Sequence, residues 1–274
     1  MLAEFLTWLV TPAPWLARRF GYLQESVAIA ARYRRCRLAW EPHLTNTCQA
    51  VLAFSKQQKR RRTLVVLGSG HGLDLPLAAL ANNWQRIVLV DLVHPWSIRR
   101  QVRRWRHVQL ATWDIAGVVE ALAASPDRLP TPSPRWPLPA DCDGLISLNV
   151  MAQLPIVPLA FLHRHGWQEE ALKEWARAIV AAHWKLLAAA GVPTLLITDV
   201  AATWRSLKSD GSSDQKGGFD APSELEPSTC SQEETLFGFT LPILPQRVWT
   251  WTIAPAGELA PEIERHLTVV AVEV

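Results

Sequence analysis

TLVVLGSGHGLDLPLAALA, residues Thr63–Ala81, carries the pattern on which the fold turns. Leu64 to Leu67 is an aliphatic, β-branched run of the kind that fills a strand buried on both faces. It drops directly into glycines at alternate positions, Gly68, Gly70 and Gly72, and an apolar stretch of helix formers follows. A buried strand, a tight turn and a helix start are thus packed into one short segment. Lacking side chains, such a turn lets a ligand sit against bare backbone N–H groups.

The same rhythm runs onward. Strands are expected at Leu64–Leu67, Ile87–Val90, Val108–Ala111, Gly144–Leu148 and Thr194–Thr198, each short and nearly all apolar. Helical stretches at Leu73–Asn83, Ser97–Arg106, Val118–Ala124 and Trp167–Ala189 separate them. This alternation predicts an α/β fold, a doubly wound and mostly parallel sheet with right-handed crossovers. Arg247–Ile253 and His266–Val274 supply two more strands, for a seven-stranded sheet. The link between them, Ala254–Arg265, holds Pro255, Gly257 and Pro261 and is short for a parallel crossover, so the final strand is expected to be antiparallel.

Residues 1–62 read as an N-terminal helical cap on a domain spanning 63–274. Leu23, Val27, Ala30, Ala31 and Leu38 recur at helical spacing. Pro42 is expected to break or kink that helix, with a second one over Thr45–Lys59 capped by Thr45 or Asn46. Ser125–Pro139 contains six prolines and is neither helix nor central strand. Residues 205–235, rich in Ser, Asp, Gly and Lys, predict a mobile loop or lid.

Composition excludes several classes. With 274 residues, 49% hydrophobic and 19% charged, the chain can bury one sizeable core. No apolar run reaches the roughly 18–20 residues needed to span a bilayer. The first segment lacks a basic n-region, carries Glu4, Pro12 and Pro14, and shows no small-residue cleavage site, so a cytoplasmic protein is expected. Cys36, Cys48, Cys142 and Cys230 form no CxxC and no zinc spacing, and His163 and His165 have no further ligands near them, so no metal is expected.

Charge is uneven. Residues 1–110 hold 17 basic and 5 acidic side chains, the remainder 11 and 20. KQQKRRR (Lys56–Arg62) and RRQVRRWR (Arg99–Arg106) carry much of the excess; they fit either solvated helix faces or contact with nucleic acid. Trp8 and Trp15 beside Arg18 and Arg19 fit a helix packed on its own core, and equally a peripheral membrane contact over residues 1–20.

The chemistry centres on the glycine turn. The dinucleotide pattern GxGxxG needs glycine where Leu73 stands, and the phosphate-loop pattern GxxxxGK[ST] is absent, so nicotinamide and flavin are disfavoured. Asp91 ends IVLVD, at the carboxyl tip of the second strand, where open α/β sheets bind ligands. A carboxylate there can accept from both hydroxyls of a ribose. Asp114 follows the third strand and can accept from an adenine amine, with Trp113 or Ile115 against the ring. Gly72 to Asp91 is nineteen residues and Asp91 to Asp114 twenty-three, one β–α unit each.

The glycine turn, the acid after strand two, the acid after strand three and the closing antiparallel pair resemble the class I, Rossmann-like S-adenosylmethionine-dependent methyltransferases, over about Thr63–Val274. The resemblance implies S-adenosylmethionine as cofactor and methyl transfer as activity. It places Gly68, Ser69, Gly70, His71 and Gly72 along the methionine and ribose part, Asp91 and Leu92 at the ribose, Trp113, Asp114 and Ile115 at the adenine, and Asn149 at the cofactor's amino group or the substrate. One departure stands out: the family carries an acid two positions before the first glycine, where this chain has Val66. Asp74, just past the turn, is a candidate replacement.

The fourth strand leads into Asn149-Val150-Met151-Ala152, which is not the Asn-Pro-Pro-aromatic motif of amino-directed relatives. Asn149, Gln153 and His94 are the candidates for a catalytic role. His94 titrates near neutrality, although His-Pro before a helix also reads as a turn with Ser97 as N-cap. Three readings follow: methyl transfer to a small apolar or aromatic molecule, methyl transfer to RNA through the basic N-terminal part, or a cofactor-binding scaffold that retained the fold. The sequence specifies neither the acceptor nor the oligomeric state.

Overall fold

Five apolar segments pair in parallel at the centre of the protein: β1 (Thr63–Leu67), β2 (Arg86–Asp91), β3 (Val108–Thr112), β4 (Cys142–Leu148) and β5 (Thr194–Ser206). The description rests on a computed structural model and covers residues 7–134, 137–207 and 231–274. β6 (Ser231–Glu234), β7 (Arg247–Ala254) and β8 (Ile263–Glu273) complete the sheet in the order β3-β2-β1-β4-β5-β8-β7, with β6 pairing β5 off this path. β8 runs antiparallel between β5 and β7, as expected for the last strand. The order reverses between β1 and β4, and such a switch point opens a crevice beyond the carboxyl ends of the strands.

Side chains alternate across the sheet. Leu64 and Val66 of β1 point to one face, which α2 (Tyr22–Gln57), α3 (Leu77–Ala81) and α4 (Trp96–Val102) cover. Val65 and Leu67 point to the other, under α5 (Val119–Ala124), α6 (Ile156–Arg164) and α7 (Glu169–Ala188). α1 (Trp15–Phe20) leads into α2 through Gly21, and Phe20 stacks on Phe161 of α6 at 4.0 Å between ring centroids.

α2 is kinked, but at Cys36 rather than at Pro42. Its 36 residues stay helical through Pro42, and the one departure from helical backbone is at Cys36 (φ −102°, ψ 18°). Thr45 and Asn46 are interior positions rather than N-caps. Proline removes one N–H and crowds the carbonyl four residues back. Here the flanking residues Trp40, His43, Thr47, Val51 and Phe54 are all buried, and this packing outweighs the local loss. Trp40 Nε1 donates to Ile253 O at 3.0 Å, and its ring meets Trp251 edge-on at 5.0 Å. The segment before Cys36 passes over the carboxyl ends of the strands, whereas the segment after it descends the sheet face to Phe54, which lies against Gly144 of β4.

Smaller corrections have local causes. α3 begins at Leu77 rather than Leu73, because Pro76 disfavours helical backbone at the residue before it. α4 begins at Trp96 with Pro95 as N-cap, so Ser97 does not cap it. Both ends of the expected lid are strand: Ser206 ends β5, and Ser231–Glu234 pair with Ala201–Trp204. The rest of that loop, 208–230, and Cys230 with it, lies outside the described residues. Among the described residues no helix is long and apolar enough to cross a membrane.

Trp40 joins α2 to β7 by burial and by its indole hydrogen bond. Trp40→Ala is expected to lower stability by about 3–5 kcal/mol in urea titration. A loss below about 1 kcal/mol would show that α2 is not a structural part of this core.

Candidate functional site

The three glycines of the turn do different work. Gly68 (φ +80°) crosses the end of β4 so closely that a Cβ would stand 2.5 Å from Val150 Cβ and 2.8 Å from Leu148 O. At Gly72 (φ +66°) it would stand 2.6 Å from Ile98 Cδ1. At Gly70 (φ +44°) the nearest atom would be Asp91 Oδ2, at 4.0 Å. Gly68 and Gly72 are therefore packing requirements, and Gly70 leaves open space in front of a carboxylate. Gly70 N–H donates to that oxygen at 2.8 Å, and Val93 N–H donates to Oδ1 at 3.3 Å. Burial pushes the Asp91 carboxyl above the usual carboxylate range, and the Gly70 N–H opposes this. Ser69 Oγ, beside it, is buried without a partner.

The next strand end is arranged differently from expectation. Asp114 Oδ1 accepts from Ala116 N–H at 3.1 Å; its Oδ2 accepts from Val118 at 2.8 Å and Val119 at 2.7 Å. The carboxylate thus serves the start of α5, satisfying N–H groups that a helix leaves open. Gly117 N–H also bears on the carboxylate, so backbone donors take up most of its roughly four acceptor positions. Trp113 is 38% exposed, Ile115 is buried, and Leu92 is half-buried.

Two histidines expected near the site hold structure. His71 Nε2 lies 2.8 Å from Ser26 O, and its Nδ1 lies 3.0 Å from Ser97 Oγ, which ties the glycine turn to the first turns of α2 and α4. His94 is only 1% exposed and its Nε2 lies 3.1 Å from Ala111 O, so in this structure the ring is held inside the fold.

A second polar group gathers at the switch point. Asn149, in the left-handed region (φ +48°), donates Nδ2 to Asp74 Oδ2 at 2.6 Å. That amide lies 3.5 Å from His43 Nε2, and Trp249 Nε1 donates to His43 Nδ1 at 3.1 Å. Asp74 is half-buried, and its partial desolvation pushes its carboxyl up against the opposing effect of the Asn149 bond. Val66 lies fully buried in the apolar layer that includes Trp40, Leu148 and Trp251, where an ionised acid would be costly. Gln153 follows in the single turn Met151–Gln153 and is half-buried.

Sequence reasoning missed Tyr22 and His43. Tyr22 begins α2 near enough to Asp91 and Asp114 that both carboxylates, after burial itself, push its hydroxyl well above the usual range. Neither residue belongs to a motif; both reach the site because α2 folds back over it. Beside Tyr22 a cleft of about 390 Å³ opens between the α1–α2 junction and α6, lined among others by Arg19, Gln24, Ile156, Val157 and Arg164.

No family model and no curated protein matches the sequence. Among solved structures the chain is similar to the 1,6-didemethyltoxoflavin-N1-methyltransferase of Burkholderia thailandensis, with 14% identity over 90% of this chain and 86% of that one, at a TM-score of 0.38. It is also similar to the N-methyltransferase NodS of Bradyrhizobium japonicum, with 14% identity over 61% and 62% and a TM-score of 0.32. A third is the glycopeptide N-methyltransferase MtfA, with 13% identity over 81% and 76% and a TM-score of 0.32.

Burial holds His43 neutral and pulls its pKa down to about 3. The unfolded chain takes up that proton near pH 6.5. Between these values only the unfolded state is protonated, so this group makes stability fall as pH falls. Half-buried Asp74 and Asp91, shifted upward, act with the opposite sign in their own range. His43→Gln removes the histidine contribution and keeps an acceptor for Trp249. Urea titrations at pH 6.5 and pH 4 are expected to show a smaller loss on acidification in the variant, by up to about 3 kcal/mol. Equal losses would show that His43 titrates normally.

Proposed function

We propose that the chain binds S-adenosylmethionine beyond the carboxyl ends of β1–β3 and transfers its methyl group to a small apolar or aromatic acceptor. The observation that carries this reading is the open space at Gly70 in front of the half-buried Asp91 carboxylate. The residues present fit the cofactor. Asp91 offers acceptor positions for two ribose hydroxyls, and Ser69 Oγ is a buried polar atom in need of a partner. Trp113 and Ile115 flank the adenine position, with Asp114 beside its amine.

Asp74 takes the part that an acid at position 66 would play. It stands on the far side of the same turn, and Asn149 holds its carboxylate toward the switch point. The pair would hold the cofactor's ammonium. Bound there, the cofactor supplies a methyl group already activated on a sulfonium, so the protein's work is orientation and exclusion of water. Residues 1–62 act as a roof on the domain spanning 63–274: Tyr22 and Ser26 close over the strand ends, and the cleft beside Ile156 and Val157 gives the acceptor its approach.

Isothermal titration with S-adenosylmethionine and S-adenosylhomocysteine is expected to show binding that Asp91→Ala weakens roughly 10–100-fold, the scale of lost charge-assisted hydrogen bonds. Failure of both ligands to bind at millimolar concentration removes the proposal. Asp74→Asn is expected to weaken S-adenosylmethionine about 10-fold or more while leaving 5′-methylthioadenosine, which lacks the amino-acid part, unchanged. An equal loss for both would place Asp74 away from the ammonium.

A further inference from the structure

The two basic clusters, far apart in sequence, meet in the fold. Gln85 N–H donates to Arg61 O at 2.9 Å, Arg86 N–H to Arg62 O at 2.8 Å, and Ile87 N–H to His107 O at 3.0 Å. The segments entering β1, β2 and β3 therefore lie side by side at the amino ends of the strands. With neighbouring strands about 4.8 Å apart, the three rows span about 10 Å. This end is opposite the glycine turn, and the five residues of β1 separate the two by about 17 Å. That exceeds a Debye length of about 8–10 Å, so exposed charges at the two ends interact only weakly through the solvent.

Two acids offset part of the charge: Asp143 interacts with Arg60 as well as Arg62, and Asp141 with Arg86. Arg62 is paired with Asp143 at 2.6 Å, and Asp141, the other acid at this end, accepts from Thr63 Oγ1 at 2.8 Å. Arg61 folds back onto backbone carbonyls of Lys56 and Gln58. Lys59, Arg60, Arg86, Arg104 and Arg106 form no ion pair among the described residues, and all except half-buried Arg86 are exposed. Arg86 Nε is buried without a hydrogen-bond partner. Four of these five are arginines, whose planar fork matches phosphate. None of the large apolar side chains left exposed belongs to these segments, so the surface has nothing to insert into a bilayer.

We propose that this end of the sheet is a docking surface for the phosphate backbone of a nucleic acid, separate from the site beyond the carboxyl ends. It binds the polymer without presenting it for methylation, since the open space at Gly70 faces the other way. The surface does not rest on the methyltransferase reading.

Fluorescence anisotropy of the full chain with a labelled single-stranded RNA and a labelled DNA duplex tests this. Binding is expected at about 50 mM salt, falling steeply toward about 200 mM for a surface of about five cations. The exposed triple variant Arg60→Gln/Arg104→Gln/Arg106→Gln is expected to lose at least 10-fold in affinity at low salt. It should also reduce the slope of log K against log salt by about 2–3 on the duplex. Its urea midpoint and its titration with S-adenosylmethionine should match the parent protein, which shows that the fold is intact. Absence of binding at low salt overturns the proposal, as does an unchanged slope in the triple variant. So does binding to phosphatidylserine vesicles that neither nucleic acid displaces. Failure of S-adenosylmethionine to bind the parent would remove the proposed activity and leave this result readable.

Discussion

The absence of a side chain at Gly68 sets the geometry of everything above the sheet. The turn leaves β1 and passes over the end of β4 at a distance that leaves no room for a methyl group between it and Val150 or Leu148 O. That close crossing brings Gly70 N–H onto the carboxylate ending β2 and carries the chain on to Asp74, whose partner Asn149 stands at the end of β4. A turn displaced outward by one methyl would separate all three. The positive φ at Gly68, Gly70 and Gly72 is the conformational counterpart of the same constraint.

Placing carboxylates under a helical roof is electrostatically demanding. Asp74, Asp91 and Asp114 are each shifted upward by burial, and each is held by N–H donors. The donors differ in origin: an amide side chain, a glycine turn and the open end of a helix. Removing a donor from such a group costs more than forming the bond contributes, because the buried charge is left uncompensated. The exposed cations at the opposite end follow the other regime, in which solvent screens each charge. One sheet thus separates a low-dielectric end from a screened one.

Much of this was legible in the chain. Short apolar runs separated by helix formers locate β1 to β5, because strands covered on both faces leave no polar positions. Gly68, Asp91 and Asn149 were readable because strand ends at a switch point are where such residues act. What was hidden depended on contacts distant in sequence. Nothing around Pro42 shows that Trp40, Val51 and Phe54 would be buried deeply enough to keep the helix continuous. Nothing around Tyr22 or His43 shows that they meet residues from the strand ends and the turn. Asp114 has the spacing of a ligand contact, and only the local backbone shows three N–H groups already converging on it. In the sequence the basic clusters fit either solvated faces or a nucleic-acid contact, and only the pairing of β1, β2 and β3 shows that their leading segments lie side by side.

α2 carries a mechanical consequence. Its 36 residues, about 54 Å of rod at 1.5 Å per residue, form the ceiling of the site before Cys36 and part of the core after it. Ceiling and core are a single covalent segment, so this ceiling over the strand ends moves only with the helix that continues it. Uncovering them takes flexure at the one irregular turn, with release of the His71 clasp on Ser26 and of the Glu258 grip on Arg32 and Arg35. A wider opening at these strand ends therefore draws on the give of that turn and on those polar contacts.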